Sequence, residues 1–156
     1  MGNAMAAAEG SAERNRRTLY LGHLASAHTS LGQPEVGLDL LDEAIQTAEV
    51  TSEKFFEAEL YRLRGEILLT LGKRGEANAG LRRALTIAQQ QQARWWELRA
   101  ATTLHDEGKY LEAYSLLQPI YGWFVEGFDT TPLTDAKALL GELRDLSGMQ
   151  TQARRG

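Results

Sequence analysis

The chain has 156 residues, of which 43% are hydrophobic and 24% charged, and its net charge is −4 at pH 7. This composition is typical of one globular domain and excludes collagen-like and fully disordered chains. The lack of cysteine excludes disulfide bonds, thiol catalysis and cysteine-ligated metal sites, and it is compatible with a cytoplasmic protein. Because the charge is mildly acidic and no apolar run approaches about 18 residues, we expect neither nucleic acid nor a membrane as a partner.

Helix-forming residues are abundant and only three prolines occur, so the sequence predicts an all-α fold. Apolar residues recur at steps of three and four in seven segments, which predicts seven helices. Their predicted ranges are 11–31, 34–50, 53–71, 75–92, 94–107, 109–125 and 132–147. Thr51 or Ser52 is expected to cap the third helix, and Thr131 the seventh. Pro119 is expected to kink or shorten the sixth helix.

A repeated pattern surrounds Gly32, Gly72 and Gly108, each of which separates two predicted helices. A small residue stands seven positions before each glycine, another stands five positions after it, and a leucine stands nine positions after it. The small residues are Ala25 and Gly37, Gly65 and Ala77, and Ala101 and Ala113, and the leucines are Leu41, Leu81 and Leu117. Paired small residues allow two helices to approach closely, with the leucine filling the remaining space. The sequence therefore predicts three helical hairpins.

This pattern resembles the tetratricopeptide repeat over about 15–125, and the segments EKFFEAEL and ARWWELRA repeat an aromatic pair followed by glutamate forty residues apart. The resemblance implies a right-handed superhelical solenoid of three helix pairs with a C-terminal capping helix. The implied repeats span 15–50, 53–92 and 94–125, the cap spans 131–147, and the repeat domain spans 11–148. Residues 1–10 are expected to form a disordered leader and residues 149–156 a frayed tail.

The second half of the chain carries a further resemblance. Its segments RWWELRAATTL and LLQPIYGWFVEGFDTTPLTDAKALLGEL resemble the C-terminal ends of large bacterial regulators. Those proteins join an adenylate or guanylate cyclase-like domain, or a LuxR-type DNA-binding domain, to an ATPase and a long helical-repeat tail. This chain is similar to the tail alone, which implies a sensory or scaffolding role in bacterial signalling and no enzymatic activity.

The sequence contains no recognisable catalytic or metal-binding motif, so we expect a non-catalytic protein without metal or cofactor. His23 and His28 are five positions apart, which separates them by about 140° around a helix and does not match two-histidine zinc spacing. The glycine–lysine pair at 72–73 lacks the flanking residues of a phosphate-binding loop and indicates a turn. The adjacent Asp42 and Glu43 diverge by about 100° around a helix, which favours surface charges over an acid–base pair.

The most probable site on such a fold is the concave face, which the first helix of each pair lines in stacked hairpins. The side chains expected there lie opposite the apolar stripe of the third helix, or at equivalent places in the other repeats. They are Ser26, Glu59, Arg62, Glu66, Arg99 and Thr102. A mixed-charge groove suits an extended or helical peptide, so the expected partner is another protein or another domain of a larger regulator. The alternative is a merely solvated face.

Aromatic residues are concentrated in the last third of the chain. They are Trp95, Trp96, Tyr110, Tyr114, Tyr121, Trp123, Phe124 and Phe128. A core between helices five, six and seven is favoured over a hydrophobic docking site for a partner, because the end of a solenoid needs extra burial. One of the two adjacent tryptophans is expected to face outward, since neighbours cannot share a helix face. The second functional hypothesis is structural: self-association as a homodimer through this aromatic-rich end or through the leading helix.

Overall fold

The computed structural model describes residues 2–51, 54–104 and 110–154, and within these ranges it contains seven α-helices and no β-strand. The helices are α1 (Gly2–Ser30), α2 (Pro34–Thr51), α3 (Glu57–Thr70), α4 (Arg74–Gln90), α5 (Arg94–Thr103), α6 (Tyr110–Gly122) and α7 (Thr131–Ala153). The predicted all-α class is confirmed.

The helices pack in the order in which they occur along the chain. Each helix contacts the next one, and the odd-numbered helices also contact each other in turn, α1 with α3, α3 with α5 and α5 with α7. In the described part of the chain, the even-numbered helices do not contact one another. The odd-numbered helices therefore lie side by side and form one surface that extends across several helices.

The helices of the first two hairpins approach closely at the predicted glycines. A Cβ atom at Gly37 would lie 2.9 Å from the carbonyl oxygen of Ala25. A Cβ atom at Gly65 would lie 2.6 Å from Cγ of Leu81. The three repeat leucines Leu41, Leu81 and Leu117 are fully buried. The close crossings predicted from the repeat are thus confirmed in these two hairpins.

The turns after α1, α3 and α4 share one hydrogen-bonding pattern. Gly32 and Gly72 adopt left-handed φ values of +79° and +74°. At the end of α3, the amide of Lys73 donates to the carbonyl oxygen of Leu68 at 2.9 Å, as in a Schellman motif. Gln92 occupies the equivalent place after α4 with φ of +54°, which is an unfavourable conformation for a residue that has a Cβ atom. The predicted turn glycine Gly108 lies outside the described residues.

Both terminal helices are longer than the sequence predicted. Helix α1 begins at Gly2, so residues 2–10, expected as a disordered leader, are helical. The segment is rich in alanine and contains no proline, so propensity alone favours helix there. Helix α7 continues to Ala153 through Ser147 and Gly148, where the sequence analysis placed its end. A glycine within a helix weakens it by about 1 kcal/mol but does not terminate it.

Several internal helix ends also differ from the predictions. Thr51 belongs to α2, where its hydroxyl donates to the carbonyl oxygen of Thr47 at 2.7 Å, and α3 begins only at Glu57. The other predicted cap of α3, Ser52, lies outside the described residues. The N-cap of α7 is Thr130, one residue before the predicted cap. Helices α5 and α6 end earlier than predicted, at 103 and 122. Pro119 lies inside α6, three residues before the end of that helix.

Candidate functional site

A network of charged side chains joins α3 to α5. On α3, the guanidinium of Arg62 donates two hydrogen bonds to the carboxylate of Glu59, both of 2.8 Å, and a third to Glu66. From α5, Arg99 approaches the same carboxylate, with 2.9 Å between its Nη1 and Oε1 of Glu59. The helical spacing of three and four residues places the α3 members on one face. Glu59 therefore binds two guanidinium groups at once.

The members of this network differ sharply in exposure. The side chains of Arg62 and Glu59 are only 5% and 8% exposed, whereas those of Arg99 and Glu66 are 30% and 46% exposed. Burial acts to lower the pKa of Arg62, but its hydrogen bonds and attraction to Glu59 and Glu66 outweigh burial and raise the pKa above its ordinary value. Burial lowers the pKa of Arg99, against the opposing attraction of Glu59. The nearby carboxylates therefore neutralise the charge of Arg62 more completely than that of Arg99.

An apolar cavity of about 330 Å³ lies beside the network, between α1, α3 and α5. Its apolar lining residues are Leu19, Gly22, Phe56, Leu60, Leu63 and Trp96. The guanidinium of Arg99 lies over the ring of Trp96, 5.6 Å from its centroid, a cation–π arrangement that holds the arginine at the edge of the cavity. The cavity is large enough for a sizeable apolar group.

A polar cavity of about 360 Å³ lies on the other side of the network, between α3, α5 and the start of α7. Its lining residues are Arg62, Glu66, Arg99, Thr102, Thr103, Thr131, Pro132 and Asp135. The hydroxyl of Thr102 donates to the carbonyl oxygen of Leu98 at 2.8 Å, so its oxygen lone pairs are available to a donor on a ligand. Arg99 lines both cavities.

The structure brings all six residues predicted for a concave face to these two cavities. Ser26 and Glu59 line the apolar cavity, Arg62, Glu66 and Thr102 line the polar one, and Arg99 lines both. They do not all form an open face, however. Glu59 and Arg62 are buried because α5 packs alongside α3 and Arg99 reaches across to them. Their role in binding a peptide stays a prediction.

Phe56, Trp96, Thr131 and Asp135 also line the two cavities and were not predicted from the sequence as site residues. Phe56 and Trp96 stand at equivalent places in the two aromatic-pair segments, forty residues apart. Their rings contact each other across α3 and α5, with 6.4 Å between centroids. The repeated spacing could have indicated that these two aromatic side chains line the same cavity. Thr131 and Asp135 of α7 lie outside the repeated pattern, so no periodic signal identified them.

The aromatic core predicted between the last helices forms only in part, because Tyr121 and Phe124 pack against buried residues while Trp95, Trp123 and Phe128 stay exposed and form a separate aromatic cluster at that end. Trp95 contacts Phe124 and Trp123 contacts the same ring, with centroid separations of 6.1 and 5.3 Å. The exposed fractions of Trp95 and Trp123 are 36% and 59%, whereas Trp96 is partly buried. The prediction that one of the two adjacent tryptophans faces outward is confirmed.

No protein-family model matches this sequence, and no curated protein is significantly similar to it. Within the described ranges, no helix has both the length and the apolar character needed to cross a membrane. In the same part of the chain, no three histidine, aspartate or glutamate side chains come together as metal ligands. The two cavities and the exposed aromatic cluster are therefore the features that indicate a function.

Proposed function

We propose that the protein is a non-catalytic scaffold that binds a protein or peptide on the face formed by α1, α3, α5 and α7. In this proposal the chain is a right-handed, tetratricopeptide-like solenoid of three helix pairs, with α7 as the cap. The serial packing of the helices and the close crossings at Gly37 and Gly65 support that architecture. The resemblance to regulator tails supports a role in a bacterial, cytoplasmic signalling system.

One observation carries the proposal: two cavities, one apolar and one polar, adjoin at Arg99 across consecutive odd-numbered helices. A surface that extends across several helices and combines apolar with charged lining is suited to a polypeptide. Apolar contacts would supply most of the affinity, and the polar groups would fix the orientation of the bound segment.

Selection of a random dodecapeptide library, displayed on phage, against the full chain tests this proposal. We expect enriched peptides to bind with dissociation constants on the order of micromolar, roughly −8 kcal/mol. Ser26→Leu should weaken them, because the larger side chain extends into the apolar cavity. Asp39→Asn is the matched control, since Asp39 is exposed on α2 and lines neither cavity. Peptides that bind the Ser26→Leu protein as tightly as the parent would refute the proposal.

The exposed aromatic cluster favours a second candidate function, homodimerisation through the C-terminal end. Trp123 and Val125 are 59% and 89% exposed, and Phe128 is 47% exposed, so a large apolar area faces solvent. The leading helix α1 offers another self-association surface. Light scattering after size-exclusion chromatography distinguishes the two functions. A dimer that Trp123→Glu converts to monomer supports assembly, whereas a monomer at all concentrations supports peptide binding.

A further inference from the structure

The two cavities together define the chemistry of the segment that they fit. Resting on the proposed function, we propose that the occupant is a polypeptide segment with a large apolar side chain close to a lysine or arginine. The apolar side chain lies in the cavity between α1, α3 and α5. The basic side chain lies in the cavity between α3, α5 and α7.

The first cavity selects an apolar group because six of its ten lining residues are apolar and its two ionic groups, Glu59 and Arg99, are paired with each other. Gly22, Leu60 and Leu63 form one apolar wall, where α1 and α3 approach so closely that a Cβ atom at Gly22 would lie 3.4 Å from methyl carbons of both leucines. The aromatic rings of Phe56 and Trp96 form the wall toward α5. A leucine, methionine or aromatic side chain would be removed from water against these groups.

The second cavity selects a cation because its most exposed charged side chains are acidic. The guanidinium of Arg62 is buried and already donates to Glu59 and Glu66. Arg99 is also occupied, by Glu59 and by the ring of Trp96. The carboxylates of Glu66 and Asp135 remain exposed at the opening.

Glu66 and Asp135 line this cavity together with Arg62 and Arg99, and the carboxylate of Glu59, which lines the apolar cavity, is already bound by both guanidiniums. Counted together, these groups contain three carboxylates and two guanidiniums. A further positive group from a ligand would complete the charge balance. The net charge of −4 on the whole chain also favours encounter with a basic segment.

The shared position of Arg99 sets the spacing of the two ligand side chains. Because one arginine lines both cavities, the apolar and basic groups must project from neighbouring points on one side of the segment. An extended peptide places residues two apart on the same side, and a helical peptide places residues three or four apart there. The expected motif is a large apolar residue with a lysine or arginine two to four positions away.

The motifs enriched from the dodecapeptide library against the full chain test the inference separately from the proposed function. Enrichment of apolar–basic pairs at that spacing supports the inference. Apolar–acidic pairs, or apolar residues without a fixed charge, would overturn the inference while leaving peptide binding intact. If no peptide is enriched, both the apolar–basic motif and the proposed peptide-binding function are overturned.

A double-mutant cycle then locates the cation. Replacing the basic residue of an enriched peptide by glutamine should weaken binding to the parent chain by about twofold to fivefold, as for a partly exposed ion pair. The same replacement should have no effect with the chain that carries Glu66→Gln and Asp135→Asn. Equal weakening with both chains would overturn the assignment. Circular dichroism melting of each variant establishes that the folded state is retained.

Discussion

The close crossing of α3 and α4 gives the sharpest test of the packing. Gly65 is buried on α3 and faces the fully buried Leu81 on α4. Replacing the glycine by alanine would place its Cβ atom 2.6 Å from Cγ and 2.8 Å from Cδ2 of that leucine. Carbon atoms do not approach so closely without displacement, and a core side chain with no exposed surface has little room to move.

Two opposing effects determine how much Gly65→Ala changes the free energy of unfolding. Alanine is the better helix former by about 1 kcal/mol. Overpacking a well-packed core costs about 1–3 kcal/mol, and the short distances at this crossing favour the upper part of that range. The free energy of unfolding should therefore fall by roughly 1–2 kcal/mol.

Urea denaturation followed by circular dichroism measures this change. The matched control is Gly141→Ala in α7, where an added Cβ atom meets no heavy atom within 4 Å. That variant should gain about 0.5–1 kcal/mol from helix propensity alone. If Gly65→Ala is as stable as the parent, or stabilised like the control, the two helices do not cross closely at this residue.

Three other changes test the charged network, a helix end and a tyrosine hydroxyl. Arg62→Ala should destabilise by about 3 kcal/mol in urea denaturation, because it removes the bidentate partner of the buried Glu59 carboxylate, whereas the more exposed Arg64→Ala should change stability by less than about 1 kcal/mol. Gln92→Gly should raise the free energy of unfolding by about 1 kcal/mol in the same assay, since glycine adopts φ of +54° without strain. Burial and the Glu49 carboxylate raise the pKa of Tyr61, so stability should decline as pH rises above about 10, and Tyr61→Phe should lessen that decline.

Each of these changes has a contradicting outcome. Equal effects of Arg62→Ala and Arg64→Ala would show that the network is not buried. A loss of stability in Gln92→Gly would contradict the left-handed conformation at the end of α4. An unchanged alkaline decline in Tyr61→Phe would show that another group is responsible for it.

The repeated pattern predicted much of the fold because its small residues and leucines make the contacts between the two helices of each hairpin. The positions of Gly32, Gly72 and the three repeat leucines follow from helix periodicity and turn geometry, both of which are local. The extent of α1 was underestimated because its first turns are helical through propensity and have no apolar stripe to mark them. Exact cap residues were also missed, since neighbouring threonines are chemically equivalent as caps.

The candidate site was predicted less completely because its geometry depends on contacts between hairpins. Repeat spacing placed Glu59, Arg62 and Arg99 on one side of the molecule. The repeat spacing did not indicate that α3 and α5 lie close enough together to bury Glu59 and Arg62, because the distance between these helices depends on how successive hairpins stack. The contribution of Asp135 and Thr131 was missed for a simpler reason, since α7 is not part of the repeat.

Indole signals in proton–nitrogen correlation spectra test the central claim most directly, because the chain has only three tryptophans. Trp96 lines the apolar cavity, whereas Trp123 lies in the exposed aromatic cluster. During titration with an enriched apolar–basic peptide, the indole signal of Trp96 should shift and that of Trp123 should stay in place. A shift of Trp123 with no change at Trp96 would contradict binding on the face formed by the odd-numbered helices.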